Sequence, residues 1–475
     1  MRMKESKVLR RTIGLTLALA TMALPVAAQA EPTCVATLGA DPAWRDVPAR
    51  PDLRFDPAKL PDRAQVMSAL DYVAAAQIAD MACRPLPLAT GGALDSASSN
   101  WVAAAFYVGA ERLARENRDP RVLRFLSAVA EHYNYAFRGA RLTKTLLNAD
   151  DLAIGDLYAE LYARRRQPGT LVPLRQRADV QVPYLTRKEP GEGLIWWWSD
   201  ALFMAPPVLA RLSALTGDPR YLQAMDAEWR RTAAVLWDEK QSLIARDARF
   251  KQGAKGRRET LFWSRGNGWT LAGLARVIEA MPADYAGRAF YVDLFRKLAI
   301  RVAGLQQADG LWSNSLLDRA AFPEPETSGS GFFVYGLAWG VNHGLLDRAK
   351  MLPVITRGWA GLNDHVLPSG LVGAAQKTGD QPAHVAPGDV GPYATGAYLL
   401  AGVEVARLGA PVRALPEPEP ARDDAATIAA TTPMPPPPAT VVGDAELARR
   451  AEEMRAVEAL SYDPDREAVT PARNR

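Results

Sequence analysis

Trp198-Ser199-Asp200 opens directly into ALFMAPPVLARLSAL (residues 201–215), a run of small and apolar residues with almost no polar face, and the same transition occurs six times. The other five are Ser98-Ser99-Asn100-Trp101 into VAAAFYVGAERLARE, Asn148-Ala149-Asp150-Asp151 into LAIGDLYAELYA, and Arg265-Gly266-Asn267-Gly268-Trp269 into TLAGLARVIEAM, then Glu326-Thr327-Ser328-Gly329 into SGFFVYGLAWGVNHGLL and Asp389-Val390-Gly391-Pro392-Tyr393 into ATGAYLLAGVEVARL. They recur at roughly 50 to 65 residues, the period of one helical hairpin with its loops. A helix that is apolar nearly all round is a buried one. Six of them, each followed by a more amphipathic partner, predict an all-α chain: an (α/α)6 barrel of six helical hairpins, with an inner ring inside an outer ring. The six N-terminal mouths then converge on one end, where unpaired N–H groups and positive helix ends favour an acidic ligand.

The barrel is expected over residues 62–410, beginning with a helix from Asp62 to Met81. Asp119-Pro120 and Asp218-Pro219 each offer an Asp cap followed by Pro at the first helical position. Strand signals are confined to Ser242–Phe250 and Glu259–Ser264, separated by the basic KQGAKGRR, which predicts a small β-hairpin near the active-site mouth. Lys251, Lys255, Arg257 and Arg258 there fit either a contact to an anionic sugar chain or a solvated turn. From residue 411 to 475, Pro416, Pro418, Pro420 and the Pro435–Pro438 run predict a disordered spacer, with a short charged helix at Glu446–Leu460.

The net charge of +4 is accounted for by Arg2, Lys4, Lys7, Arg10 and Arg11 against Glu5. These flank the apolar run Ile13–Ala28, which ends in Ala28-Gln29-Ala30, the form of a secretory signal (residues 1–30) with a small-residue cleavage site. Its apolar stretch falls short of the roughly 20 residues that a membrane span needs. The chain behind it is near neutral, so charge gives no support to nucleic-acid binding. We expect a periplasmic or secreted protein with no stable membrane span after cleavage, in which residues 31–61 form an N-terminal extension. The chain has two cysteines, Cys34 and Cys83, which in an oxidising compartment form a disulfide candidate, two unpaired core residues being the other option.

Trp196, Trp197 and Trp198 lead into Asp200, and Trp263 and Trp269 bracket Arg265, so that five of the 12 tryptophans sit at two adjacent mouths. Flat indole faces stack on pyranose rings, and core packing is the alternative role. Asp150, Asp151 and Asp200 fit helix caps. In a Trp-lined pocket, however, desolvation and a second carboxylate raise a carboxyl pKa and leave one of the group protonated near neutral pH, as a general acid requires. Glu326 is a further candidate, with capping the stronger role. His132, His343, His365 and His384 show no metal-ligand spacing, and neither G-x-S-x-G nor a phosphate-binding loop is present. No metal and no cofactor are expected.

Residues Trp197–Ala410 resemble the unsaturated rhamnogalacturonyl hydrolases, glycoside hydrolase family 105. The resemblance rests on WSDALFMAPP (198–207), TGDPRYL (216–222), FWSRGNGWTLAGLARV (262–277), DGLWSNSLLD (309–318), PETSGSGFFVYGLAWGVNHGLLD (325–347) and YATGAYLLAGVEV (393–405). It implies a hydrolase that removes a terminal 4,5-unsaturated uronic acid from lyase-generated oligosaccharides by hydrating the C4–C5 double bond. Asp200 then matches the catalytic aspartate and Asp150 the second one, with Asp151 as its alternative. Arg265 would hold the substrate near its carboxylate, while Trp263, Trp269 and Trp198 shape the ring site. The chain departs from the pattern where some relatives carry a histidine. It has Ile244-Ala245-Arg246-Asp247 there, which makes Arg246 a substrate-binding candidate and implies different contacts to the uronate or the next sugar. Alternatives are an unsaturated glucuronyl hydrolase on other polysaccharide-lyase products, a non-catalytic periplasmic sugar-binding protein, and a lyase on the same barrel. The oligomeric state stays open.

Overall fold

The structure, a computed structural model, describes residues 42–84, 97–117, 120–137, 146–186 and 193–411, all within one compact unit, Val35–Arg475. The expected signal segment, the Cys34 end of the candidate disulfide, Asp119 and the tail from residue 412 onward lie outside the described residues.

In chain order, outer helix α1 (Arg63–Ala82) precedes inner α2 (Trp101–Glu116), and outer α3 (Pro120–His132) precedes inner α4 (Ala149–Leu152) with α5 (Gly155–Arg165). Outer α6 (Pro168–Leu185) leads to inner α7 (Ala201–Met204) with α8 (Pro206–Thr216), and outer α9 (Pro219–Leu236) to inner α10 (Ser264–Ala280). Outer α11 (Arg288–Ala303), inner α12 (Thr327–Asn342), outer α13 (Arg348–Asp364) and inner α14 (Pro392–Arg407) complete the set. Each inner element packs on the next and α14 closes onto α2, while α1 backs α14. The (α/α)6 barrel expected from the six openings is therefore the architecture. Every residue of α12 is buried, as are Ser264–Ile278 of α10.

Small residues let the inner ring close. A Cβ on Gly396 would stand 2.1 Å from the carbonyl oxygen of Ala105, and one on Gly109 would stand 2.4 Å from that of Gly396, so α2 and α14 touch backbone to backbone. The third inner element is broken between α7 and α8 by Pro206 and Pro207, which lack the N–H groups that would bond the carbonyls of Leu202 and Phe203. The Phe203 carbonyl accepts instead from Arg276 Nη1 of α10 at 3.0 Å.

The β-hairpin is displaced from its expected place. β1 (Trp237–Asp238) pairs antiparallel with β2 (Leu243–Ile244), so Ser242–Phe250 supplies only Leu243–Ile244 to a strand and its partner is Trp237–Asp238 in place of Glu259–Ser264. Asp247 accepts from the backbone N–H of Arg249 and curls Ala248–Phe250 into a 3-10 turn, which ends the ladder. A second ribbon joins β3 (Trp312–Ser313) to β4 (Pro325–Glu326). Asn267, in the SRGNGW segment, fastens β2 to α10: its Oδ1 accepts from Ile244 N at 2.9 Å and its Nδ2 donates to Ile244 O at 3.0 Å.

The C-terminal halves of the inner helices are held together by charge. Glu160 of α5 is the hub, accepting from Arg115 of α2, Arg211 of α8 and its own helix neighbour Arg164. Asp156 accepts from Arg276 at 2.7 Å, Arg112 pairs with Glu279, and Arg407 pairs with Glu116 and Glu404. Against the burial that would raise it, Arg115 and Arg211 hold the Glu160 carboxyl well below its ordinary range. Burial and the neighbouring Asp156 push Glu111 the other way, to about 8.

Candidate active site

The opposite, N-terminal end of the ring carries carboxyls that cap nothing. Asn148 caps α4 by accepting from the Asp150 N–H at 2.9 Å, which frees the Asp150 side chain. Asp200 precedes α7 but makes no side-chain cap bond. It is 8% exposed, and its Oδ2 accepts from Ser199 Oγ at 3.0 Å. The two mouths adjoin, since α4 packs against α7.

Burial lifts the Asp200 carboxyl above its ordinary range, although Arg246, Arg265 and the Ser199 hydroxyl oppose the rise. Burial first, then the charges of Asp200 and Asp151, push Asp150 to about 7. Asp150 thus shares a field with Asp200 and Arg246, whereas Asp151 acts on Arg177 of α6. The charge of Asp200 acts on Asp150. Two neighbouring carboxyls whose pKa values are both raised are able to hold a proton near neutral pH and deliver it.

Arg246 stands beside them because the segment after β2 lies against the entrance to α7. Ser199 N donates to Arg246 O at 2.7 Å, and Trp198 bridges to Asp247. The Arg246 guanidinium lies with Nε 3.5 Å from Asp200 Oδ2, donates from Nη1 to Asp247 Oδ2 at 2.8 Å, and sits 5.3 Å over the ring of Trp197.

Arg265 is 1% exposed and lies between the rings of Trp263 and Tyr393, at 4.4 and 4.8 Å. Nη1 donates to Gln376 O at 2.6 Å and Nη2 to Lys377 O at 2.9 Å, so the guanidinium tethers the 376–377 loop, while its charge acts on Asp200 and its Nε has no hydrogen-bond partner. Trp263 is likewise sealed behind that loop, its Nε1 donating to Asn314 Oδ1 and Gln376 Oε1. Trp269, wholly buried, packs against Phe203, Phe332 and Trp101 as the floor beneath the mouth. These three shape the site from behind, because a side chain that water cannot reach offers no face to a sugar.

Trp198 is 6% exposed, and Trp197, stacked obliquely on it, is 38% exposed. Trp101 is partly open and stacks on Tyr393 at 5.8 Å. Trp197 and Trp101 are therefore the indoles that present ring faces at the mouths. Trp101 stands in one of the six openings and Trp197 directly ahead of another, but sequence does not distinguish an outward Trp from an inward one. Glu326 is a cap: its carboxylate accepts from Ser328 N, Gly329 N and Gln376 N. Among the described residues no helix is long and apolar enough to cross a membrane.

A family model described as Glycosyl Hydrolase Family 88 matches residues 88–409. An unsaturated 3S-rhamnoglycuronyl hydrolase from Formosa agariphila is 37% identical over 327 residues, covering 66% of this chain and 85% of the relative. A protein of the same description from Alteromonas sp. (strain LOR) is 33% identical over 325 residues, covering 64% and 77%. A solved structure described as a polysaccharide lyase superposes with a TM-score of 0.64 at 29% identity, covering 73% of this chain and 97% of that one. The family resemblance seen in the sequence is upheld by the family match and the two curated relatives.

Proposed function

The chain belongs to Glycosyl Hydrolase Family 88, and we propose from that premise that it removes a terminal 4,5-unsaturated uronic acid from lyase-generated oligosaccharides by hydrating the C4–C5 double bond. The observation that carries this is the uncapped pair of half-buried Asp150 and buried Asp200 at adjoining helix mouths, each with its carboxyl raised. Asp200, as the acid, protonates C4. Positive charge develops at C5 and the ring oxygen, water adds at C5 and gives up a proton to the Asp200 carboxylate, and the resulting hemiketal opens and expels the rest of the chain. Burial keeps the Asp200 carboxyl raised, and the charge of Asp200 in turn pushes up Asp150 in the same mouth. Trp197 and Trp101 are the stacking faces for sugar rings.

The printed description of both curated relatives supports a rhamnose-linked uronide as the substrate class. The signal-like residues 1–30 support export, so that the enzyme meets lyase products in the periplasm or outside the cell.

The test follows the alkene. Ultraviolet absorbance of an unsaturated uronide must fall as product forms, and in heavy-oxygen water the label must enter C5 of the uronic fragment. Anomeric labelling, or equal cleavage of a saturated uronide, refutes the proposal in favour of conventional two-carboxylate glycosidase chemistry. The structural neighbour described as a lyase gives a second reading, with the opposite signature: absorbance then rises on intact polysaccharide.

A further inference from the structure

The guanidinium nitrogen nearest the acid makes an ion pair but no hydrogen bond. Arg246 Nε is buried and has no hydrogen-bond partner, although the same guanidinium is gripped on its other side. Asp247 does the gripping. Its Oδ2 accepts from Arg246 Nη1 and Arg249 Nη2, both at 2.8 Å, and its Oδ1 accepts from Arg249 N and Nε, both at 2.9 Å. Arg249 in turn reaches Asp380 at 3.1 Å, so the row Asp200, Arg246, Asp247, Arg249, Asp380 alternates in sign from the acid out to the 380 loop. Asp247 is 1% exposed, so this grip is sheltered from solvent and positions Arg246 through one nitrogen only.

An orphaned guanidinium N–H beside a proton donor calls for an anionic acceptor. In a 4,5-unsaturated uronide, C4 and the carboxyl carbon are both bonded to C5. A site that protonates C4 must therefore keep its carboxylate clamp next to its acid, and Arg246 Nε lies 3.5 Å from Asp200 Oδ2. Arg265 also acts on Asp200 and has an unpartnered Nε, but both of its Nη nitrogens are committed to loop carbonyls, whereas Arg246 makes an ion pair with the acid. We propose that Arg246 is the residue that binds the uronate carboxylate, through its Nε edge, and that Asp247 is a positioning residue that holds that edge toward the ring. This rests on the functional reading above and names the recognition element within it.

The test compares an unsaturated uronyl disaccharide with its C6 methyl ester, which keeps the alkene and loses the charge. Wild type is expected to favour the acid by roughly ten- to a hundredfold in kcat/KM, the range of a charge-assisted hydrogen bond. Arg246→Gln should reduce that preference to within about threefold, Arg246→Lys should retain part of it, and Asp247→Asn should raise KM for the acid while leaving KM for the ester nearly unmoved. Folding of each variant is checked by circular dichroism. If Arg246→Gln does not fold, Arg246→Lys and Asp247→Asn decide. Undiminished preference for the acid in the folded variants, or equal losses on acid and ester, overturns the assignment while leaving the hydration reaction standing. Failure of wild type to consume the alkene in either compound overturns the functional reading, and this proposal with it.

Discussion

Asp150→Asn should make the protein less active and, above neutral pH, more stable. Burial, with Asp200 and Asp151, lifts the Asp150 carboxyl from 3.8 to about 7. In the unfolded chain it ionises near its ordinary value, so the folded state is favoured while the group stays neutral, and that advantage disappears as pH rises through about 7. A difference of about three units corresponds to about 4 kcal/mol between the two limits. Because Asp150 is partly open to the mouth, screening reduces this to about 1–3 kcal/mol. Unfolding entropy of about 2.1 cal/mol/K per residue over a barrel of about 350 residues converts that to a Tm difference of roughly 1–4 °C. Melting curves of wild type and Asp150→Asn followed by circular dichroism should therefore coincide at acid pH, below the unfolded-state pKa of about 4, and separate by that amount at about pH 8, with the variant higher. Curves that stay parallel across this window, or a variant that is the less stable at high pH, would show that Asp150 is not held in the raised, buried state described.

Asp200→Asn should fold like wild type and lose about 10²–10⁴ of its rate in the alkene-absorbance assay, since it removes the proton donor; wild-type-like turnover would dismiss the assignment. Glu160→Gln should cost about 3–5 kcal/mol, because it leaves Arg115 and Arg211 charged and under-partnered in the closed end of the barrel. A thermal melt displaced by less than about 1 °C would contradict that. Gly396→Ala places a methyl group 2.1 Å from the Ala105 carbonyl oxygen, and should prevent α14 from closing on α2; a soluble variant with an unchanged melt would mean that the two backbones are not in contact.

The barrel was legible because its signal is compositional and repeated. An inner helix has no solvent face, and six runs such as TSGSGFFVYGLAWGVN have no other place in a soluble fold. The position of the proposed pair was legible for a related reason, since an Asp just ahead of such a run stands at a mouth wherever the barrel is closed. The hold of the 376–377 loop on Arg265 was not legible, because that loop lies more than 100 residues away and its carbonyls take both Nη nitrogens. The hairpin partner was misread because the strand in SLIARDARF is cut off after Leu243–Ile244, where the Asp247 side chain accepts from the Arg249 N–H. Asp247 itself carried no signal beyond its place in IARD. Its importance comes from contacts to Arg246, Arg249 and, through Arg249, the 380 loop.

The two ends of the barrel divide the acidic residues by helix polarity. At the C-terminal ends, where the inner helices are negative, Arg112, Arg115, Arg276 and Arg407 compensate and carboxylates pair with them. At the N-terminal ends a helix dipole favours ionised carboxyls by about 0.3–1 kcal/mol, less than one pKa unit. Glu326 accepts from three backbone N–H groups. The Asp150 carboxyl has no such bonds in the cap and rises by about three units against the dipole. Desolvation outweighs helix polarity at that mouth, so the groups able to hold a proton at neutral pH are the ones the caps leave free. Asn148 is therefore as much a part of the acid site as Asp150: by taking the cap it leaves a carboxyl in a desolvated mouth with no N–H to stabilise its charge.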